Sequence, residues 1–217
     1  NNGATEALTI LNSGNVGIGT ASPTATLTVN GDLEGALPML PISAKGLVGY
    51  WSFNDGASTV KDFSANENSG TRTGATGANN LPQYTAGRLG QGMDFDGTDD
   101  VINGGSASSL DDLGPMSVSA WIKPESPGGA EDRVIIAKHD GAGTGTWLLN
   151  IGEGNGKVLR FIKDGSTDLI QRSANDTITL NAWQHIVVTW DGSTNASGVR
   201  MYKDGSEVSY GTSANGV

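Results

Sequence analysis

Apolar and polar residues alternate along most of this chain in short bursts, separated by clusters of Gly, Asn, Asp, Ser and Thr. A period of two marks strands with one buried face, and no window sustains apolar residues at i, i+3, i+4 and i+7 as a helix would. The cleanest alternation is Met116-Ser117-Val118-Ser119-Ala120-Trp121-Ile122-Lys123, ended by Pro124. Further strands are predicted at Leu47–Phe53, Gly92–Asp96, Asp100–Asn103, Val134–Ala137, Trp147–Ile151, Lys157–Ile162, Thr177–Leu180, Gln184–Trp190 and Gly198–Lys203. Gly92–Asp96 and Asp100–Asn103 flank a Gly-Thr-Asp turn, and Lys203-Asp204-Gly205-Ser206 reads as a type I′ hairpin turn into Glu207–Tyr210. Such strands pack as two antiparallel sheets, so the fold class is all-β, an antiparallel two-sheet β-sandwich.

The first 32 residues form a unit of their own. Ala7–Leu11, Val16–Gly19 and Ala25–Val29 read as short strands, broken at Asn12–Asn15 and at Ser22-Pro23, and give a short N-terminal β-hairpin arm. Its apolar stripe (Leu8, Ile10, Val16, Ile18, Leu27, Val29) is too small to make a core and needs another surface. A threefold assembly of identical chains through residues 7–29 is one economical solution. Residues 33–45 carry Pro38 and Pro41, which exclude a central strand, and read as a linker. The sandwich is then expected over 46–217.

Composition narrows the function. The formal net charge is −10, and Lys and Arg form no cluster, so nucleic acid and anionic membrane surfaces are disfavoured partners. There is no apolar run long enough to insert in a membrane. With no cysteine, disulfides, thiolate metal sites and cysteine nucleophiles are all excluded, and stability must come from the size of the core. The chain starts Asn1-Asn2-Gly3 without Met and reads as an internal fragment.

Two resemblances add to this. Gly14–Pro23, followed by Leu27-Thr28-Val29-Asn30-Gly31, resembles the "GNVGIGTxSP…LxVxG" repeat of phage tail fibres and large bacterial surface proteins, commonly found in trimeric stalks. Five later segments, in order, are similar to the laminin-G-like, concanavalin A-like family: Gly46–Gly56 to its opening strand, Asp62–Gly70 to its "DxSGNGNxG" loop, Arg88–Val101 to its "GxxGxALxFDGxxDYV" hairpin, Met116–Pro124 to "FTISAWVKP", and Trp183–Ser193 to "WHHVAxTYDG". The resemblance implies a jelly-roll sandwich. Family domains continue into a late "IDEVRIY" strand near the opening one. This chain reaches Val217 first, which implies a C-terminally truncated domain whose Leu47–Phe53 edge is unpaired or covered by another segment or subunit.

Candidate chemistry is sparse. In similar domains the Asp62–Gly70 loop helps hold a structural Ca2+, which implies Asp62, Asn66 and Asn68 as ligands, with Asp96 as an added one. Ala65 and Glu67 stand where the family loop has glycines. The alternative is an Asx-turn loop whose side chains cap its own backbone. Asp94, Asp96, Asp99 and Asp100 read as turn chemistry. Trp51, Trp121, Trp183 and Trp190 are expected in the core. Trp147, after a Gly-rich stretch, and Tyr84, in a loop, are the candidates for stacking on a ligand.

No "ExDxxE" string and no "GxSxG" elbow occurs, and His139 and His185 read as structural. The chain is therefore expected not to be an enzyme. The expected function is a non-catalytic extracellular structural or adhesion protein of a bacterial surface or phage fibre, binding a glycan or a cell-surface protein. The alternative is a carbohydrate-binding module detached from a secreted glycan-degrading enzyme.

Overall fold

A strand needs neighbours for its N–H and C=O groups, and the computed structural model shows which of the alternating segments find them. It describes residues 8–18, 20–23, 27–29, 46–56, 58–74, 81–110, 113–127, 133–138, 146–152 and 156–217. The linker expected at 33–45, His139 and the Gly-rich stretch 141–145 lie outside these. The chain divides into two units, Asn1–Leu47 and Val48–Val217.

In the first unit β1 (Leu8–Ile10) and β2 (Val16–Ile18) form an antiparallel hairpin, turned at Gly14 with φ +84. A third strand, β3 (Leu27–Val29), joins β2 in parallel, Val16 opposite Leu27. The arm is thus a three-stranded sheet, not a hairpin alone. Leu8 and Ile10 are exposed, by 60% and 68%.

The second unit is built around two four-stranded sheets. In chain order its elements are β4 (Thr59–Val60), β5 (Gly70–Thr73), β6 (Gln83–Ala86), β7 (Gln91–Asp94), β8 (Val101–Asn103), β9 (Met116–Ile122), β10 (Arg133–Lys138), β11 (Trp147–Gly152), β12 (Val158–Lys163), β13 (Leu169–Arg172), β14 (Gln184–Trp190), β15 (Val199–Lys203) and β16 (Ser206–Glu207). One sheet runs β10-β11-β12-β13 and the other β16-β15-β14-β9, all pairs antiparallel. Leu149 and Ile151 of β11, Leu159 and Phe161 of β12 and Leu169 of β13 form one buried cluster with Ile186, Val188 and Trp190 of β14 and Val199 and Met201 of β15. Phe161 touches a tryptophan on each side, Trp147 at 6.4 Å and Trp190 at 6.0 Å between ring centroids. The β15–β16 turn has positive φ at both Asp204 and Gly205, as a type I′ turn requires. Residues beyond it run back along β13, with Tyr210 opposite Ser173 and Ala214 opposite Ile170.

Three strand expectations are corrected. Thr177–Leu180 forms no strand, because the Gln184 side chain supplies the partner: its Oε1 accepts from Thr179 N–H and its Nε2 donates to Thr179 O. Leu47–Phe53 forms no strand: among the described residues its one β-bridge is Trp51 to Asp62, further hydrogen bonds tie it to the Asp62–Gly70 loop, and Phe53 has a φ of 56 that ends any strand. Gly92–Asp96 and Asp100–Asn103 do not pair with each other: β7 pairs with β6, and β8 joins β5 in the small sheet β4-β5-β8. Strands β4, β5, β6 and β13 had no counterpart among the expected strands.

Candidate functional site

The Asp62–Gly70 loop is organised from the inside by one carboxylate. Asp62 is 2% exposed, and its Oδ1 accepts from Tyr50 N–H (2.7 Å) and Ser64 N–H (2.8 Å). Its Oδ2 accepts from Ser64 Oγ–H (2.7 Å) and Asn68 N–H (2.8 Å). Burial pushes this carboxyl up, but the four donors outweigh it and hold the group below the ordinary carboxylate value. The loop is therefore wrapped on a charged Asx-type cap, with the opening segment tied to it through Tyr50. Trp51 completes the tie: its Nε1–H donates to Asn68 O at 2.9 Å, and Gly49 leaves room for its ring.

A second centre lies beside the first, on the backbone oxygen of Val48. Asn66 Nδ2 (3.1 Å) and Asn68 Nδ2 (3.0 Å) both donate to it, and Ser64 Oγ lies 3.1 Å away. A carbonyl oxygen has two lone pairs, so three polar groups crowd it. Turning each amide over would place two amide oxygens beside Val48 O and Ser64 Oγ. Asn68 would still meet Ser109 Oγ, which now donates to its Oδ1 at 3.1 Å. Four neutral oxygens in that arrangement fit half or more of the shell of a hard cation such as Ca2+, which takes six to eight. Asp62 itself is committed to its own loop.

Asp62, Asn66 and Asn68 are thus brought together, and Asp96 is seated elsewhere. Its Oδ1 accepts from Thr98 N–H and Asp99 N–H, and its own N–H donates to Asp100, in the turn between β7 and β8. Asp96, Asp99 and Asp100 hold their carboxylate oxygens within 4.8 Å of one another there. Glu67 has φ +54, so the loop imposes a left-handed backbone on one of the residues that replace the family's glycines.

A surface hollow of about 660 Å³ opens against this loop, lined by Asp55, Thr59, Lys61, Phe63, Glu67 and Ser69 with Asp62 and Ser64. Phe63 is 49% exposed and Lys61 Nζ sits 5.0 Å from its ring centre. Asp55 accepts from Lys61 N–H at 2.6 Å and from Tyr84 Oη–H at 2.8 Å. Burial pushes Asp55 up, and those two donors hold it below the ordinary range. Tyr84, expected in a loop, lies on β6 opposite Met93 and orients Asp55, while the Arg72 guanidinium lies 5.3 Å from its ring centre.

Trp147 is corrected: it is 7% exposed in the core, since the period of β11 turns Trp147, Leu149 and Ile151 to one face, and it has no ring surface for a ligand. Trp121 is corrected in the opposite sense. On β9 Met116, Val118, Ala120 and Ile122 pack toward the core, so Ser117, Ser119 and Trp121 face outward, and Trp121 is 43% exposed. Directly across the ladder lies His185, at 5.2 Å between rings, whose Nε2 shares a 2.8 Å hydrogen bond with Ser119 Oγ. This outward cluster went unread, although the alternation that predicted β9 also places Trp121 with the two serines. Phe63 and Val48 carried no comparable signal.

Comparison with known proteins gives one family. The model of the concanavalin A-like lectin/glucanases superfamily matches residues 96–217. No curated protein and no solved structure matches the chain.

Proposed function

Because the chain belongs to the concanavalin A-like lectin/glucanases superfamily, we propose that it is a non-catalytic recognition module that binds a glycan in the hollow beside Asp62. What supports this reading is Phe63, a half-exposed ring at the edge of a concave polar surface. Its face suits the C–H side of a pyranose, and Asp55 and Glu67 offer acceptors to sugar hydroxyls. A Ca2+ ion would be held by Val48 O, Ser64 Oγ and the Asn66 and Asn68 amides, and would brace the loop. Asp55 and Asp62, both held below the ordinary range, suit the role of acceptors and not that of a general acid. A glycosidic general acid must keep its proton near neutral pH.

The test is a glycan array run with Ca2+ and with EDTA, on wild type and Phe63→Ala. Hits that fall at least tenfold in Phe63→Ala are expected. An empty array in both conditions would turn the reading toward a protein ligand.

The exposed Leu8 and Ile10 support a second element, association of the arms of identical chains into a trimer, as a fibre or bacterial surface protein outside the cell would use. Light scattering decides this. A strict monomer that still binds glycan would favour a carbohydrate-binding module of a secreted glycan-degrading enzyme.

A further inference from the structure

On the outer face of β9 and β14, well apart in sequence from the Asp62 loop, three kinds of chemistry meet. Trp121 supplies an indole that is 43% exposed, and among the described residues no acceptor meets its Nε1–H. Ser119 and His185 supply a joined pair of hydrogen-bonding groups beside it. Arg88 brings its guanidinium to 5.1 Å from the Trp121 ring centre.

Arg88 sits in the turn between β6 and β7, which closes through Gly87 N–H to Gly90 O at 2.9 Å. Two glycines hold that turn. A side chain on Gly87 would collide with the backbone of Gln91, and Gly90 has φ +69. The turn therefore presents Arg88 from a backbone with little freedom.

Arg88 has a second peculiarity. The chain carries 23 acidic residues against 13 Lys and Arg, yet Arg88 reaches no carboxylate and donates no hydrogen bond among the described residues. A guanidinium offers five N–H donors in a planar fork that matches a carboxylate, and among the described residues none of those of Arg88 meets an acceptor. An exposed aromatic, adjacent hydroxyl and imidazole groups, and an unspent fork form a complementary set for a ring that is apolar on one face and carries a carboxylate.

We propose that Arg88, Trp121, Ser119 and His185 form a second glycan subsite, selective for saccharides that contain a uronic acid. The pyranose packs on the part of the indole that Arg88 and His185 leave exposed, its carboxylate takes the Arg88 fork, and ring hydroxyls meet Ser119 and His185. The net charge of −10 repels a polyanion at long range, so attraction depends on local cations, Arg88 first among them. The proposal rests on the glycan-binding reading, but its site uses no metal and none of the residues around Asp62.

The experiment is isothermal titration of the full chain in EDTA with a panel of uronic-acid trisaccharides, their methyl esters, and neutral counterparts. Trp121 emission serves as a local readout. The acids are expected to bind at least about tenfold tighter than esters or neutral sugars, the scale of a charge-assisted bidentate pair. Arg88→Gln, an exposed turn substitution that leaves the fold intact, is expected to erase that preference. Trp121→Ala is expected to remove binding of acids and esters alike. Equal affinity for acid and ester, uronate binding unchanged in Arg88→Gln, or no uronate binding at all would overturn the proposal. Ca2+-dependent glycan hits lost in Phe63→Ala would then leave the reading of the Asp62 hollow standing, and their absence as well would remove both.

Discussion

Between β11 and β12 on one side and β14 and β15 on the other, the side chains that meet are apolar, and Leu149, Leu159, Ile186 and Met201 have no exposed surface. At the Asp62 loop the buried groups are Asp62, Ser64 and Asn68, and the contacts are hydrogen bonds aimed at a few oxygens. The first region is stabilised in proportion to area removed from water, with little demand on direction. The second depends on particular donors meeting particular lone pairs, and a buried polar atom left alone there costs what the bond would have gained and more. The sandwich centre should therefore tolerate changes that keep volume and fail at cavities. The loop should ignore volume and fail when one acceptor is lost.

The largest effect that separates the two regions is expected at Phe161. Its ring bridges Trp147 and Trp190, so Phe161→Ala removes contacts on both sides and leaves a cavity where neither large ring can easily follow. A loss of about 3–5 kcal/mol is expected in urea unfolding, against less than about 1.5 kcal/mol for Phe161→Leu. A similar loss for both would mean that ring geometry, not volume, holds the centre.

Next comes Asp62→Ala, expected to cost about 3 kcal/mol, because it strands the N–H groups of Tyr50, Ser64 and Asn68 in a buried site. The effect should depend on pH with a known sign. The folded-state value of Asp62 is depressed, so its contribution is complete above the ordinary 3.8 and is lost as pH falls through the lower folded value. The stability gap between wild type and Asp62→Ala should thus be constant from pH 7 to about 5 and narrow below about 4. A gap that widens in acid would mean that Asp62 is protonated in the fold, and that the four donors do not govern it.

The same contrast explains what the sequence could reveal. Alternation is written residue by residue, so β9, β11, β12 and β14 were legible, and with them the two sheets. Interruptions that are paid for by side chains were not: Gln184 stands in for a strand beside Thr179, and nothing local marks it as doing so. For Trp121 and Trp147 the phase of the strand decides the side, whatever the size of the ring or the Gly-rich stretch before it. Trp121 shares the phase of Ser117 and Ser119 and faces out, and Trp147 shares that of Leu149 and Ile151 and faces in. At the loop, Asp62, Asn66 and Asn68 were found through resemblance, but their common target, the backbone oxygen of Val48, has no identity in a sequence.

The smallest effect tests the loop from its backbone. Glu67 holds φ +54, a region that costs a residue with a Cβ about 1–2 kcal/mol and costs glycine almost nothing. Glu67→Gly relieves that strain but gives the unfolded chain more freedom, worth about 0.5–1 kcal/mol in the other direction. The net expectation is a gain of about 0.5 kcal/mol in urea unfolding. Glu67→Ala keeps the Cβ and the strain, so it should show no such gain. If instead both substitutions destabilise equally, the Glu67 carboxylate carries a contact that outweighs its backbone, and the loop is held from its rim as well as from Asp62. If only glycine stabilises, the inner cap alone sets the loop's shape, and the left-handed turn is a cost it imposes on whichever residue stands at 67.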